Sequence, residues 1–478
     1  MDKKTYRNIV KYLNGLVDGT VYDGHVFVCG GAVRDEIMDN PIKDIDMCVT
    51  LPNGGIDFAN FLYDKSVLKY EPVVYPTYGT AMFILTEFPD IEIEVVQTRK
   101  EQYKDINSRN PEVVFGTLEE DCKRRDLTIN SMYYDISNEK YLDLTGLGIS
   151  DIENHVIRTT NDPDVIFSDD PLRIMRCIRF SCRYGWNIED TTMNGMKKNA
   201  ERLSIITKER VQDEFNKMLL SKNPIQALEK LMEINVMKFI IPELEEAYHM
   251  EQNKYHIGTV WEHSMKVWAN VSLVSESLVL RMAALLHDIG KIKVKTIDEK
   301  GNIHFYQHET KTDIVRMILK SLKYPNEFIK DVIFLTKNHM RTKHWGDDCK
   351  NMRIRSLRKL QFECGKKYFY DLMILIDADN NAHAEGYCLP NQVPNILKKS
   401  NILEIEGNDM FDYHLPINGN DVMNIRGIKP GEEVKECLDY AIKLAYNNPK
   451  MSKELFLKHI KSYRIPIKKM KKYCNSKN

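Results

Sequence analysis

Gly30-Gly31-Ala32-Val33-Arg34-Asp35, followed at a short interval by Asp44-Ile45-Asp46, is the stretch on which the reading of the chain turns. Before it, His25-Val26-Phe27-Val28-Cys29 is a short apolar run of strand type. Two glycines directly after a strand let backbone N–H groups approach a triphosphate without a Cβ in the way. The helix expected over Ala32 to Met38 then turns its positive end toward the anion. In a strand, side chains repeat every two residues, so Asp44 and Asp46 share one face and can share metal ions.

Taken alone, an Asp-x-Asp pair is most often a solvated strand edge. Joined to the double-glycine turn at this spacing, it fits nucleotidyl transfer, in which two Mg²⁺ ions activate a 3′-hydroxyl and neutralise the α-phosphate and pyrophosphate. A third carboxylate from a neighbouring strand is expected, and Ile91-Glu92-Ile93-Glu94-Val95 offers Glu94, with Glu92 in reserve. Strand runs at Ile45–Val49, Thr80–Leu85 and Ile91–Val96, with a helix through Phe58 to Val67, make the first 155 residues or so an α+β unit. From about residue 165 helical periodicity takes over, with joints marked at Pro224, Pro242, Gly258, Pro325 and Gly346.

At 478 residues the chain exceeds one core, and roughly 150 residues per domain gives about three folding units. Lys+Arg is 68 against 69 Asp+Glu, so no global polyelectrolyte surface exists, although local patches are allowed. With 43% hydrophobic and 29% charged residues the composition is globular rather than disordered. No apolar run approaches the roughly 20 residues of a membrane helix, and Met1-Asp2-Lys3-Lys4 opens a polar helix rather than a signal peptide. Ten cysteines include no C-x-x-C pair, which excludes a zinc ribbon and a thioredoxin-type site. These features place the chain in a reducing, cytoplasmic setting, with no membrane partner.

The N-terminal stretch resembles the class II tRNA nucleotidyltransferases and related bacterial poly(A) polymerases of the DNA polymerase β superfamily. Arg99, Tyr103, Arg109 and Pro111 lead into Phe115–Asp121, and Arg124-Arg125-Asp126-Leu127-Thr128-Ile129-Asn130-Ser131-Met132 is similar to the family's R-R-D-F-T-I-N-A-M motif. Leu127 stands for the usual Phe and Ser131 for the usual Ala. The resemblance implies a polymerase β-type head with a small mixed or antiparallel sheet, followed by mostly helical domains. It also implies contacts to ribose and triphosphate from Gly30, Gly31, Arg34, Arg124, Arg125, Asp126 and Asn130.

Asp169-Asp170-Pro171-Leu172-Arg173, continuing through Arg176 and Arg179, is similar to the family's E-D-x-x-R helix, with Asp169 in place of Glu. Asp170 and Arg173 lie three apart and so on one helical face. The carboxylate accepts from the amino group of cytosine or adenine while the guanidinium donates to a ring nitrogen. Uracil and guanine present a keto oxygen there instead. Ser204–Val211 and Glu214 resemble the following helix, read as scaffold.

A second constellation comprises His263, His287-Asp288-Ile289-Gly290-Lys291, His308, His339 and Asp379. Imidazole with carboxylate suits Mn, Fe, Co, Ni or Zn better than Ca. The order resembles the HD metal-dependent phosphohydrolases, which implies ligands at His263, His287, Asp288 and Asp379, a second metal at His308 and His339, and a phosphate contact from Lys291. The expected ion is Mn, Ni, Co, Fe or Mg.

Pro416–Met423 with Gly427-Ile428-Lys429-Pro430-Gly431 resembles the tRNA-body segment of the same enzymes, or is an ordinary turn. The last 29 residues carry ten Lys/Arg against Glu454 alone, either a solvated tail or a phosphate contact. The expected division is a nucleotidyltransferase head at 1–155, base-recognition neck helices at 156–245, an HD domain at 246–400 and a tRNA-binding tail at 401–478. The expected activity is template-independent addition of C, C and A to tRNA from CTP and ATP, with phosphohydrolysis at RNA ends. The alternatives are a poly(A) polymerase or a principally hydrolytic HD enzyme.

Overall fold

The computed structural model describes residues 1–102 and 112–465. Tyr103, Arg109, Pro111, and the tail from residue 466 onward lie outside the described residues. The chain divides into two compact units, Met1–Glu245 with Ser321–Lys323, and Glu246–Lys320 with the chain from Tyr324 onward.

The first unit opens on the helix Lys3–Val17, capped by the Asp2 carboxylate, which accepts from the Thr5 N–H at 2.7 Å. Its apolar face, Tyr6, Ile9, Val10, Leu13 and Val17, recurs at helical spacing and is buried. The first nine strands of this unit are β1 Val26–Cys29, β2 Ile45–Val49, β3 Val73–Tyr75, β4 Thr80–Ile84, β5 Glu92–Gln97, β6 Arg99–Gln102, β7 Glu112–Phe115, β8 Tyr133–Asp135 and β9 Lys140–Leu142, and a short parallel pair, Val156–Ile157 with Asn187–Ile188, follows. Seven of the nine form one mixed sheet in the order β3-β4-β5-β2-β1-β8-β9, while β6 and β7 pair as a separate hairpin.

This order positions the site. Antiparallel pairing of β1 with β2 sets Cys29 opposite Asp46, so the glycine turn leaving β1 meets the start of β2. Parallel pairing of β2 with β5 sets Asp46 beside Glu94. Antiparallel pairing of β1 with β8 sets Tyr133 opposite Cys29 and brings the 124–132 segment to the same end of the sheet. Strands β3, β8 and β9 were not evident from the sequence, because three residues are too few for an alternation to register. The helix foreseen from Phe58 begins earlier, at Gly54. A Cβ on Gly55 would lie 2.5 Å from the Gly79 carbonyl oxygen, so glycine lets this turn rest directly on the sheet.

Helices Leu172–Tyr184, Asp190–Asn199, Lys208–Leu219 and Pro224–Glu233 complete the first unit. Among the described residues, the secondary structure of the second unit is helical apart from the hairpin Lys295–Ile297 with Ile303–Phe305. Its main helices are Val260–Val274, Leu278–Leu286, Thr312–Ser321, Asn326–Asn338, Ile354–Asn380 and Gln392–Ile405. Toward the end, Gly419–Arg426, Glu432–Ala445 and Lys453–Ser462 enclose a small core including Val422, Cys437, Ala441, Phe456 and Ile460. The Pro416–Met423 segment is a helix start: the Asn418 side chain accepts from the Asp421 N–H at 3.1 Å and Asp421 returns to the Asn418 N–H at 3.0 Å. No helix among the described residues is long and apolar enough to cross a membrane.

Candidate active and metal sites

At the sheet end described above, a cleft of about 450 Å³ is lined by Gly30, Gly31, Arg34, Asp46, Arg124, Arg125, Asp126, Asn130, Asp170, Arg173 and Arg176. Leu172, Phe180 and Arg210 complete the lining. Gly30 has φ 71° and ψ −126°, a conformation closed to residues with a Cβ. An added Cβ would also sit 3.2 Å from Arg125 Nη1.

Ile45 and Met47 of β2 point into the core, whereas Asp44, just before the strand, and Asp46 within it point the other way, Asp46 into the enclosing cleft. A smaller adjoining pocket is lined by Asp46, Glu94 and Arg125 together with Cys29, Met47 and Val96. Glu92 lies on the same exposed face of β5 as Glu94 but lines neither pocket. Crowding shows in the protonation equilibria. Burial pushes the Asp46 carboxyl up, and the neighbouring Asp44 charge adds to this against Arg125. Glu94 is raised by burial and then by the charge of Asp46. A cluster of hard oxygen donors that repel one another fits a divalent cation.

The arginines that face this cluster are held by carboxylates beneath them. Asp121, fully buried, accepts from Arg124 Nη2 at 2.6 Å, Arg125 Nε at 3.0 Å and the Tyr133 hydroxyl at 2.8 Å. Burial works to raise its carboxyl, but the two guanidiniums prevail and hold it at about 2. Asp126 accepts from Arg176 Nε at 2.7 Å, from the Leu127 N–H at 2.8 Å and from Asn130 Nδ2 at 3.2 Å, while Asn130 Oδ1 accepts from Arg34. Arg179 donates to Glu214 Oε2 at 2.6 Å, lies over the Phe180 ring at 4.3 Å, and is not among the residues lining the cleft.

Asp126 is also held at about 2, since Arg176 and Asn130 outweigh the raising effect of burial. The sign follows directly. A depressed folded pKa means stabilisation that is complete above the unfolded carboxyl value and is lost as pH falls through about 2. That stabilisation is on the order of 2 kcal/mol. Acid unfolding of Asp126→Asn is expected to show a weaker pH dependence than wild type below about pH 4, measured by circular dichroism along a pH series.

Asp170 and Arg173 both line the cleft, yet their side chains are anchored separately. Asp170 Oδ2 accepts from Arg210 Nη2 at 2.7 Å and Oδ1 from the Leu172 N–H at 3.2 Å. Arg173 Nη1 donates to the Ile166 carbonyl at 3.2 Å. Arg210, read as scaffold in the sequence, thus belongs to the cleft, and so does Phe180.

In the second unit, His263, His287, Asp288, His308, His339 and Asp379 are all buried and converge. Asp288 is their hub. Its Oδ1 lies 2.9 Å from His308 Nε2 and 3.6 Å from His339 Nε2, and its Oδ2 lies 3.3 Å from His287 Nε2 and 3.5 Å from His263 Nε2. Asp379 Oδ1 is 3.1 Å from His263 Nε2. Among the described residues, three groups bring their ligand atoms close enough to hold a metal ion: His263, His287 and Asp379; His287, Asp288 and His339; and His256, His263 and Asp288.

The imidazoles are oriented by one repeated device. His287, His308 and His339 each place Nδ1 on the carbonyl three residues back, Ala284 at 2.8 Å, Phe305 at 3.0 Å and Thr336 at 2.6 Å. A carbonyl only accepts, so Nδ1 carries the proton and the Nε2 lone pair points inward, as metal ligation requires. Burial lowers His263 and His339, keeping them neutral. For His287, burial is outweighed by Asp288 and its pKa is raised. Lys291 is buried, with Nζ at 2.6 Å from Asp288 Oδ2 and donating to Gln252 Oε1 at 2.6 Å. His256, His383 and Lys343, absent from the ligand set read in the sequence, also reach this centre. Lys343 Nζ stands 2.9 Å from Asp379 Oδ2, and burial with the Lys291 charge holds His256 at about 2.

Models of three protein families match successive stretches of the chain. A family model described as the poly A polymerase head domain matches residues 26–158. Models of the probable RNA and SrmB-binding site of polymerase A and of the HD domain match 185–248 and 260–368. The multifunctional CCA protein of Aliivibrio salmonicida is 31% identical, over 66% of this chain and 74% of that protein. The chain belongs to the CCA-adding tRNA nucleotidyltransferase family. Within that family, tRNA nucleotidyltransferase cca1 of Schizosaccharomyces pombe is 27% identical over 90% of this chain and 89% of its own. The Bacillus stearothermophilus CCA-adding enzyme, solved in complex with CTP, shares the fold, with a TM-score of 0.66 at 20% identity and coverage of 99% and 100%. These relatives are CCA-adding enzymes, so the poly(A) polymerase alternative is not favoured.

Proposed function

We propose that the chain adds CMP, CMP and AMP to the 3′ ends of tRNA from CTP and ATP without a nucleic-acid template. The observation that carries this reading is a single cleft holding a carboxylate-bearing strand end and the Asp170/Arg173 pair together. Asp44, Asp46 and Glu94 would hold Mg²⁺. When bound, the ion supplies charge neutralisation at the α-phosphate and activation of the attacking hydroxyl.

The chain's own residues do the rest. Gly30 and Gly31 leave room for the phosphates, and Arg124 and Arg125, fixed by Asp121, present positive charge to them. Asp170 accepts from an exocyclic amino group and Arg173 donates to the adjacent ring nitrogen. Incubation with tRNA lacking C, A or both, offering each labelled NTP singly, tests the proposal. Incorporation of ATP alone, in long tails, would instead support poly(A) synthesis.

Base choice is open to its own test. Arg173→Ala or Asp170→Ala is expected to lower CTP and ATP use and to relax rejection of UTP and GTP by on the order of a hundredfold. Competition assays with paired nucleotides measure it, and wild-type selectivity in both variants would refute the reading.

The second unit is proposed to hydrolyse phosphate esters at RNA ends with Mn, Ni, Co, Fe or Mg held by His263, His287, Asp288, His308, His339 and Asp379. The four-part division at 155, 245 and 400, with a tRNA-contacting segment from 401 onward, is part of the same proposal. Nine free cysteines among the described residues support a reducing, cytoplasmic compartment.

A further inference from the structure

Asp170 is usable as a base reader only if its carboxylate is held at one orientation, and the structure shows what holds it. Oδ1 accepts from the N–H of Leu172, the first residue of the helix Leu172–Tyr184, at 3.2 Å. Oδ2 is gripped by Arg210 from the helix Lys208–Leu219. Four residues further along that second helix, on the same face, Glu214 grips Arg179 of the Asp170 helix at 2.6 Å. The two pairs differ in one respect: Arg210 lines the cleft and Glu214 does not.

We propose that Arg210 is a specificity-determining positioning residue of the transferase site. It acts through Asp170, fixing the carboxylate so that Oδ2 offers its remaining lone pair to an amino group. The pairing also engages a guanidinium that would otherwise sit in the cleft as a free donor. A free donor there is what a keto oxygen needs, so the ion pair favours cytosine and adenine and disfavours uracil and guanine on the same contact. The inference rests on reading the cleft as the site that selects CTP and ATP.

The experiment compares kcat and KM for CTP, ATP and UTP on truncated tRNA with wild type, Arg210→Ala, Arg210→Lys, Glu214→Gln, Asp170→Ala and the Asp170→Ala/Arg210→Ala double variant. Arg210→Ala is expected to raise KM for CTP and ATP about tenfold and to cut the CTP-to-UTP preference by a similar factor, the loss of one charge-assisted hydrogen bond. Arg210→Lys restores part of the preference, since an ammonium pairs with the carboxylate but cannot fork. Glu214→Gln affects all nucleotides alike. Asp170→Ala accepts UTP better than the double variant does, because only the single variant retains the freed guanidinium. Selectivity unchanged in Arg210→Ala, or activity lost equally for all nucleotides, would overturn the role of Arg210 and leave the base-reading cleft standing. Equal use of UTP and CTP by the wild-type enzyme would overturn the cleft reading and this inference with it.

Discussion

Replacing Asp46 by alanine is expected to lower nucleotide incorporation about a thousandfold or more, and Asp44→Ala to do the same, with the fold unharmed. The expectation comes from the sheet. Asp46 is paired with Cys29 on one side and Glu94 on the other, so its carboxylate stands where the glycine turn and the second acidic strand meet. No other side chain replaces it at that register position, and each acid removed takes away a cation ligand. Stability should move the other way. Both Asp46 and Glu94 have raised carboxyl pKa values, first through burial and then through a neighbouring carboxylate, so each charge is held against its preference. Removing one relieves the other, so the melting temperature of Asp46→Ala should equal or exceed that of wild type. Labelled CTP incorporation and thermal melting on the same preparations check both halves. Near-normal incorporation by both variants would remove the transferase assignment.

What the sequence disclosed follows from what is local in space. Asp44 and Asp46 share a strand face because the period of a strand is two, whereas Asp170 is extended and precedes the helix Leu172–Tyr184, so it shares the cleft with Arg173 through the turn that starts this helix rather than through a common helical face. Along that helix, spacing separates Arg179 from Arg173. Six residues of helix turn about 600°, leaving them some 120° apart, whereas seven residues bring Phe180 back under Arg173. The structure has Arg179 on Glu214 and Phe180 in the cleft, so both placements were legible in the spacing. Asp121 was quoted within a motif run, yet its function as the shared anchor of Arg124 and Arg125 appears only when the turn after helix Leu118–Lys123 is folded. His383 follows Asp379 by four residues, about one helical turn, so its place lay within reach of the spacing. Arg210, Lys343 and His256 had no such signature: Arg210 meets Asp170 across 40 residues, Lys343 meets His383 across 40, and His256 meets Lys291 across 35. Only tertiary packing makes such neighbours.

His287→Ala is expected to abolish phosphate-ester hydrolysis and to lower bound transition metal, while CCA addition persists. The six metal-site residues read in the sequence, together with His256 and His383, lie in the second compact unit, and every residue lining the transferase cleft lies in the first. Loss of one therefore leaves the other its full set of side chains. His287 is a better probe than Asp288. Asp288→Ala would strand Lys291, whose ammonium is buried and stands 2.6 Å from that carboxylate, and leaving a buried charge without its partner costs on the order of 3–5 kcal/mol. An inactive Asp288 variant would then confound chemistry with folding. His287 Nδ1 donates to the Ala284 carbonyl at the end of its own helix, a group that water or a local adjustment can satisfy, and its loss leaves Asp288 its contacts with Lys291 and His308. The consequence for the chemistry is sharp. A tRNA ending in a 2′,3′-cyclic phosphate has no free 3′-hydroxyl and cannot accept a nucleotide until one water has opened the ring at the P–O3′ bond, leaving a 2′-phosphate, or two waters have cleaved both esters and released phosphate, and both activities on one chain raise the local concentration of the repaired end. Given such a tRNA with Mn²⁺ or Ni²⁺, wild type should free the 3′-hydroxyl by one of these routes and then add nucleotides. His287→Ala should do neither on that substrate, yet extend a tRNA with a free 3′ end at the wild-type rate. Metal content measured on the two purified proteins gives a readout independent of turnover. If wild type neither opened the cyclic phosphate nor released phosphate under any divalent metal, the buried histidines would be scaffold, and the repair sequence would have no first step.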